Sequence, residues 1–303
     1  MNVADSTCSG SVPVTTGRLS SLKDYLALTK PEVTFLVLIA AGLGSIMAST
    51  SLNVMALVHA VVGTGLVAAG TATLNHYLER TYDARMRRTC NRPLPSGRLT
   101  PQEVLRFGMA LSAVGVLYLA LIVNFLTSII GLSALLSYLG LYTPLKRRTP
   151  FCTLIGAFPG AAPVLMGWAA NRNSLSLEAW LLYAILFVWQ FPHFLAIAWI
   201  YREDYSRAGM LMLPPKDSDG RFTFRQIMVC TMVLIPLSLA PALLGMVGKV
   251  YVSFALVLGL GFLYVAYQAS RHRSKGYARQ LLHASVIYLP IVYAVMVIDK
   301  GAW

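Results

Sequence analysis

Acidic residues are scarce in this chain, with 12 Asp and Glu among 303 residues. Charge of either sign is scarce too, at 12% of the sequence, about half the share typical of soluble domains. Chains that stay disordered are polar and charged; here 56% of residues are Ala, Val, Ile, Leu, Met, Phe, Trp, Tyr or Cys, which excludes disorder of the whole. Four cysteines at no regular spacing provide no disulfide framework. The sequence has no C-x-x-C-H haem attachment and no H-E-x-x-H zinc helix. What the shortage of acids leaves is a cationic excess: 25 Lys and Arg give a net charge of +13. A nucleic-acid binder needs such charge on a water-exposed fold, and a chain of mean hydropathy +0.63 does not supply one. No nucleic-acid partner is expected; the composition points to a membrane.

Apolar runs long enough to cross a bilayer occur nine times, over residues 33–48, 54–74, 104–123, 125–141, 151–170, 179–200, 227–247, 250–266 and 281–298. They predict an all-α integral membrane protein of about nine transmembrane helices. The third and fourth runs are split only by Asn124. The first run follows a polar, Ser- and Thr-rich stretch and is not followed by a small-residue cleavage site, so it reads as a span rather than a cleaved signal. Residues 1–24 read as a disordered polar tail and residues 25–303 as one membrane domain.

Nine spans give the cations addresses. On that count 22 of the 25 Lys and Arg fall on one face, leaving Arg172, Lys249 and Lys300 on the other. The positive-inside rule then makes the N-terminal tail and the loops after even-numbered spans cytoplasmic. Most of the basic excess is therefore an orientation signal.

Two loops on that face also hold half of the acids: Glu79 and Asp83 after the second span, and Glu203, Asp204, Asp217 and Asp219 after the sixth. Carboxylates at a membrane boundary are costly unless they pair or bind a cation. In the first cluster, residues 75–98, Asn75, Glu79 and Asp83 stand four apart. On a helix they form one stripe, each step about 6 Å along the axis. Hard oxygen ligands at that spacing suit Mg²⁺, which keeps waters and phosphate oxygens in its shell. Arg87 is one further step along the stripe, and Arg88 and Arg92 follow before Pro93 and Pro95 stop the helix. Carboxylates beside guanidinium forks make a site for a metal-bridged diphosphate.

The second cluster, residues 189–214, ends the sixth span as the first ends the second. The match predicts a pseudo-twofold pair facing one cavity, with metal ions clamping one diphosphate from two sides. Tyr201 and Tyr205 flank Asp204 and read equally as donors to phosphate oxygens or as members of an interfacial aromatic belt. His193, after Pro192 inside the sixth span, reads either as a hydrogen-bonding residue of the bundle interior or as a ligand. The loop 202–226, with Gly209, Pro214, Pro215 and Gly220, is long enough to form a cap over such a site.

From Tyr25 onward the chain resembles the UbiA-type intramembrane prenyltransferases, and within them the branch that prenylates haem. Four segments carry the resemblance: LTKP ending at Pro31, the block from NHYLERTYDARMRRT to RPLPSGR that starts at Asn75, YTPLKRRTP from Tyr142, and WQFPHFLAIAWIYREDYSRAGMLMLP from Trp189. The superfamily's first motif, N-x-x-x-D-x-x-x-D, corresponds to Asn75, Glu79 and Asp83, with the Glu usual in the haem branch. In the second motif, where many relatives carry several Asp, this chain has Tyr201, Arg202, Glu203, Asp204 and Tyr205. That leaves Asp204, with Glu203 beside it, as the second metal carboxylate; the haem branch shows the same tyrosines. Glu32 stands where the family often has a basic residue after the proline.

The resemblance implies helices around a central cavity open to the cytoplasmic side, with cytoplasmic cap loops. It implies Mg²⁺ as cofactor and Asn75, Glu79, Asp83 and Asp204 as the metal-holding, catalytic set. Diphosphate binding would fall to Arg87, Arg88, Arg92, Lys146, Arg202, Tyr142, Tyr201 and Tyr205. The substrates implied are farnesyl diphosphate and haem b, the product haem O, and His193 becomes a candidate haem contact or iron ligand. Membrane lipid surrounds the protein, and a downstream haem A synthase or oxidase assembly factor would receive the product.

Two other readings stand beside this one. A UbiA-type enzyme acting on an aromatic quinone precursor or a chlorophyll-type acceptor agrees less well with Glu79, the PHF histidine and the YREDY string. A polytopic transporter of an anionic substrate predicts ionisable residues near the bilayer midplane, whereas here they cluster at one face. The expected location is the bacterial plasma (inner) membrane with the N-terminus cytoplasmic. A mitochondrial inner membrane is the lesser alternative, because the first 21 residues hold a single Arg.

Overall fold

The computed structural model describes residues 22–301, so the expected tail lies almost wholly outside the described residues. In chain order the elements are α1 (Leu22–Leu28), α2 (Pro31–Ala48), α3 (Val54–Asp83), α4 (Pro101–Val123), α5 (Phe125–Leu145), α6 (Cys152–Arg172), α7 (Leu177–Ile200), α8 (Arg202–Arg207), α9 (Arg221–Leu243), α10 (Lys249–His272) and α11 (Lys275–Ile298). All but α1 and α8 are long and apolar enough to cross a bilayer, nine among the described residues as the sequence predicts. An all-helical solution is what hydrocarbon requires, since a helix satisfies its own main-chain polar groups.

One residue divides α4 from α5. Asn124 takes an extended conformation, its side chain accepts from Thr127 N at 2.8 Å, and its Nδ2 donates to Ala169 O on α6 at 2.8 Å. A single amide thus caps α5 and pins it to α6. The helix α6 is the most buried span and packs on α2, α5 and α7. Its crossing with α2 is close enough to need glycine: a Cβ on Gly167 would lie 1.8 Å from Ala41 O, and one on Gly44 would lie 2.1 Å from Val164 O. Small residues at such crossings let helix backbones approach within a membrane. Large apolar side chains such as Leu121, Phe125 and Val257 remain exposed on outer faces, where lipid replaces protein.

Two boundaries differ from expectation. Helical structure begins before Tyr25, because α1 already includes Leu22 to Asp24, and Arg98 Nε donates to Asp24 Oδ1 at 2.8 Å. The second span runs nine residues past its apolar stretch, so that α3 carries Asn75, Glu79 and Asp83 on its last turns. It then stops at Asp83 rather than continuing toward Pro93. The Asp83 carbonyl accepts from Thr89 Oγ1 at 2.8 Å and from Met86 N at 3.3 Å, which folds the chain back.

Candidate active site

The last turns of α3 bury Asn75, Glu79 and Asp83, and buried polar groups must find partners. Each is met by a cation from a different segment. Lys30 Nζ donates to Asn75 Oδ1 at 2.8 Å. Lys146 Nζ donates to Glu79 Oε1 at 2.8 Å. Arg92 Nη1 lies 2.9 and 2.8 Å from the two carboxylate oxygens of Asp83. Asn75 Nδ2 adds a donation to Thr143 Oγ1 at 3.3 Å.

Local backbone features aim each cation. Lys30 sits at φ 48°, ψ 64°, left-handed for a residue with a side chain. Pro31 disfavours the right-handed helical region for the residue before it. A left-handed non-glycine residue costs on the order of 1–3 kcal/mol and persists only where surroundings hold it; here the Asn75 contact does so. Near the end of α5 the turn Tyr138–Tyr142 is π-wound, and Thr143 Oγ1 donates back to Tyr138 O at 2.9 Å. The extra residue in that turn changes the register so that Thr143 and Lys146 both face α3; such single-turn π-bulges recur at functional sites. Arg92 is delivered by the fold-back after Asp83.

The two lysines differ in proton affinity. Burial, followed by the charge of Arg92, pulls Lys30 down to about 7. Burial also works against the proton on Lys146, but the Glu79 carboxylate outweighs it and holds the ammonium well above its ordinary range. Lys146 further lies 4.4 Å over the Tyr142 ring, whose edge meets Tyr138 at 4.9 Å.

The second cluster adjoins the first. Asp204, buried on α8, pairs with Arg207 and accepts from the Arg88 main-chain N at 3.4 Å. The Arg88 guanidinium lies 4.8 Å over the Tyr201 ring and donates to Tyr205 OH at 3.4 Å. Arg88 therefore joins the segment after α3 to Tyr201, Asp204 and Tyr205. The chain after α8 docks here as well: Leu211 N donates to Lys146 O at 2.6 Å, and Met210 and Met212 pack with Met86, Cys152 and Ala198. Arg147, Arg202 and Tyr205 line a cavity of about 440 Å³ under this loop. At its far end Gly220 starts α9 at φ 77°, where a Cβ would meet Trp199 at 2.6 Å.

Three expected site residues stand apart from the carboxylates. Arg87 does not continue the stripe, because α3 has ended four residues earlier, and it is exposed. Arg202 stacks 4.2 Å over Trp199. Glu203 points outward and pairs with Lys275 at 2.9 Å, so of the two neighbouring acids only Asp204 turns inward. Among the described residues no three His, Cys, Asp or Glu side chains gather closely enough to hold a metal ion by themselves.

Two residues that sequence reasoning left aside belong to this site. In sequence Lys30 falls among the orientation cations, and the feature that sets it apart is the proline after it. His76, next to Asn75, is buried with neither ring nitrogen hydrogen-bonded, and its Nδ1 lies 3.8 Å from Asp83 Oδ2. His193 lies deeper, half-buried on α7, stacked on Trp189 at 4.8 Å.

Comparison with known proteins agrees with this architecture. The model of the UbiA prenyltransferase family matches residues 35–287. The chain is 49% identical to a protoheme IX farnesyltransferase of Solibacter usitatus, over 92% of this chain and 99% of that protein. A solved structure of digeranylgeranylglyceryl phosphate synthase superposes with a TM-score of 0.76 at 20% identity, covering 93% of this chain and 98% of that one. A UbiA homolog from Archaeoglobus fulgidus, bound to GPP and Mg²⁺, gives a TM-score of 0.67 at 15% identity, covering 90% and 99%. With nine spans, the asparagine and two carboxylates at the end of α3, and the family match over most of its length, this chain is a multi-pass membrane protein that belongs to the UbiA prenyltransferase family.

Proposed function

We propose that this protein transfers the farnesyl group of farnesyl diphosphate to a vinyl group of haem b, with addition of water, giving haem O and diphosphate. The single observation that carries this reading is the α3 stripe with its three cations: Lys30 on Asn75, Lys146 on Glu79 and Arg92 on Asp83. Such pairs exchange partners without stranding a buried charge when a ligand brings a dense anion together with a divalent cation. The carboxylates turn to the metal and the cations to the phosphate oxygens. The protoheme IX farnesyltransferase relative supports the acceptor and the donor.

Asn75, Glu79, Asp83 and Asp204 would hold Mg²⁺. Their hard oxygens fit that ion, and a set that does not close by itself fits one that keeps waters and substrate oxygens in its shell. The ion would supply Lewis-acid charge on the diphosphate; the archaeal homolog bound to GPP and Mg²⁺ supports that assignment. Lys30, Lys146, Arg92 and Arg88 then neutralise the leaving group, and Tyr142, Tyr201 and Tyr205 border it, with Arg87 and Arg202 at its rim. As the allylic C–O bond breaks, its electron pair goes to the diphosphate, and fixed positive charge lowers the barrier most where that charge develops. The vinyl π electrons of haem b bond to the allylic carbon. Water adds to the resulting porphyrin-side cation and releases a proton. An apolar bundle keeps bulk water from the first cation. The docked loop after α8 acts as the cap, and His193 contacts the haem.

The site opens to the cytoplasmic side of a bacterial inner membrane, with the N-terminus on that side, and the product passes to a haem A synthase or oxidase assembly factor. The test is purified protein with haem b, farnesyl diphosphate and Mg²⁺. A new, more hydrophobic porphyrin carrying one farnesyl group and one water is expected, and chelation should abolish it. Prenylation of quinone precursors with haem b left unchanged would overturn the assignment.

A further inference from the structure

Ser285 on α11 is completely buried against α7. Its hydroxyl has one hydrogen and two near neighbours: the Leu282 carbonyl oxygen at 2.6 Å and His193 Nδ1 at 2.8 Å. A carbonyl only accepts, so the hydroxyl hydrogen goes to Leu282 and the serine lone pair faces the imidazole. Nδ1 must then carry the histidine hydrogen. A neutral imidazole has one N–H, which leaves Nε2 with its lone pair. The Nδ1 contact is the one hydrogen bond of His193 among the described residues, so that lone pair has no donor among them.

The ring is also fixed in rotation. Trp189, one turn earlier on α7, stacks on it with planes 22° apart, and Trp189 Nε1 donates to the Ser285 carbonyl at 3.0 Å. The same serine therefore holds the imidazole through its hydroxyl and the indole behind it through its carbonyl. His193, Ile197 and Tyr201 follow at intervals of four along α7, one stripe that ends at the ring under Arg88. His193 lies roughly 12 Å deeper than Tyr201 on that stripe, at 1.5 Å per residue.

We infer that Ser285 is a positioning residue: it fixes the Nδ1–H tautomer of His193 and presents Nε2 as a ligand to the iron of the haem substrate. Histidines that bind metals commonly donate their other N–H to a neighbouring acceptor, which sets tautomer and ring orientation. Here the arrangement would anchor the porphyrin plane on the site's face of α7, with its vinyl-bearing edge toward the diphosphate end. The inference rests on the haem reading proposed above, and its failure can be told apart from the failure of that reading.

The experiment takes purified full-length protein and ferric haem b without farnesyl diphosphate, and records the absorption and electron paramagnetic resonance spectra together with haem affinity. The wild type should show a nitrogen-ligated iron. His193→Ala should lose that signature. Ser285→Ala should shift it and weaken haem binding about tenfold, the low end of what losing such a partner costs. Ser285→Thr, which keeps the hydroxyl, should restore both. Farnesyl diphosphate affinity should stay at the wild-type value in every variant, which also reports that each is folded. A wild-type spectrum and affinity in Ser285→Ala, with His193→Ala altered, overturns the positioning role and leaves the haem reading standing. An unchanged spectrum in His193→Ala overturns both assignments for this pair. Equal loss of haem and farnesyl diphosphate binding in Ser285→Ala makes the serine a packing residue and overturns the inference.

Discussion

The two ends of the bundle use charge in opposite ways. Where α3, α5 and α7 finish, charges meet charges: Arg92 on Asp83 and Lys146 on Glu79 between segments, and Arg207 on Asp204 within α8. At the other end they meet the main chain. Arg172 donates to the Ala48 carbonyl, and Lys300 Nζ donates to the carbonyls of Ile46, at 2.6 Å, and Ser49. Both cations thus cap the last turn of α2, which leaves carbonyls without helical partners and carries partial negative charge. Asp299 Oδ2 does the converse for α10, accepting from Tyr251 N at 2.7 Å. A charge committed to a helix end holds the fold and has nothing to exchange. A charge paired with a charge can release its partner to a ligand. Two of the three cations that the positive-inside count left on the far face are therefore structural caps.

Asp83→Asn should break the comparison hardest. The amide is nearly isosteric and keeps oxygen and hydrogen-bonding capacity, while Arg92, about a quarter exposed, can turn to water. Turnover should fall on the order of 10³-fold, the scale of removing one preorganised electrostatic group, with circular dichroism and unfolding temperature in detergent close to wild type. Turnover near wild type would remove the charge-paired end from the chemistry.

Next comes Lys30→Gln. Glutamine can still donate to Asn75 but brings no charge to a phosphate. Affinity for farnesyl diphosphate should drop about tenfold, the scale of one charge-assisted hydrogen bond, and its salt dependence should flatten. A drop in stability with unchanged affinity would move Lys30 into the same class as Arg172 and Lys300.

How far the sequence reveals this division depends on the kind of signal. The nine spans are legible because each apolar run is long and bounded, and even the narrow break at Asn124 falls where an amide caps α5. The α3 stripe is legible because four-residue spacing has one meaning on a helix. The end of α3 is not: residues 80–92 continue in helix-compatible composition, and the helix stops where the Asp83 carbonyl turns to Met86 N and Thr89 Oγ1, a tertiary fold-back with no local sequence signal. The role of Lys30 is hidden because loop cations look alike until a left-handed turn before Pro31 selects one. Glu203 and Asp204 are neighbours on a short helix, about 100° apart around its axis, and which one faces inward depends on where α8 begins.

Lys300→Met tests the structural end. It removes the donor to the Ile46 and Ser49 carbonyls at the end of α2 and should cost about 1.5–3 kcal/mol of stability, the range for a hydrogen bond to a charged group. Turnover per folded molecule should match wild type. Thermal unfolding read beside activity checks this, and lost turnover without lost stability would mean that the two ends are coupled.

The smallest effect belongs to Glu203→Gln, and it sharpens the comparison inside a single pair of residues. The Lys275 hydrogen bond, followed by the Lys275 charge, holds the Glu203 carboxyl below its ordinary value. A carboxyl lowered by folding contributes stability that is present above its unfolded value and lost as pH falls through the folded one. The pair is largely exposed, so water and salt screen it to at most about 0.5 kcal/mol. Glu203→Gln should leave turnover unchanged at neutral pH and shift unfolding by a degree or so, a difference that vanishes in acid. Asp204→Asn, one residue away but buried beside Arg88, should lower turnover on the order of 100-fold. If Glu203→Gln lost activity as Asp204→Asn does, the direction in which α8 presents its two acids would no longer divide site from surface.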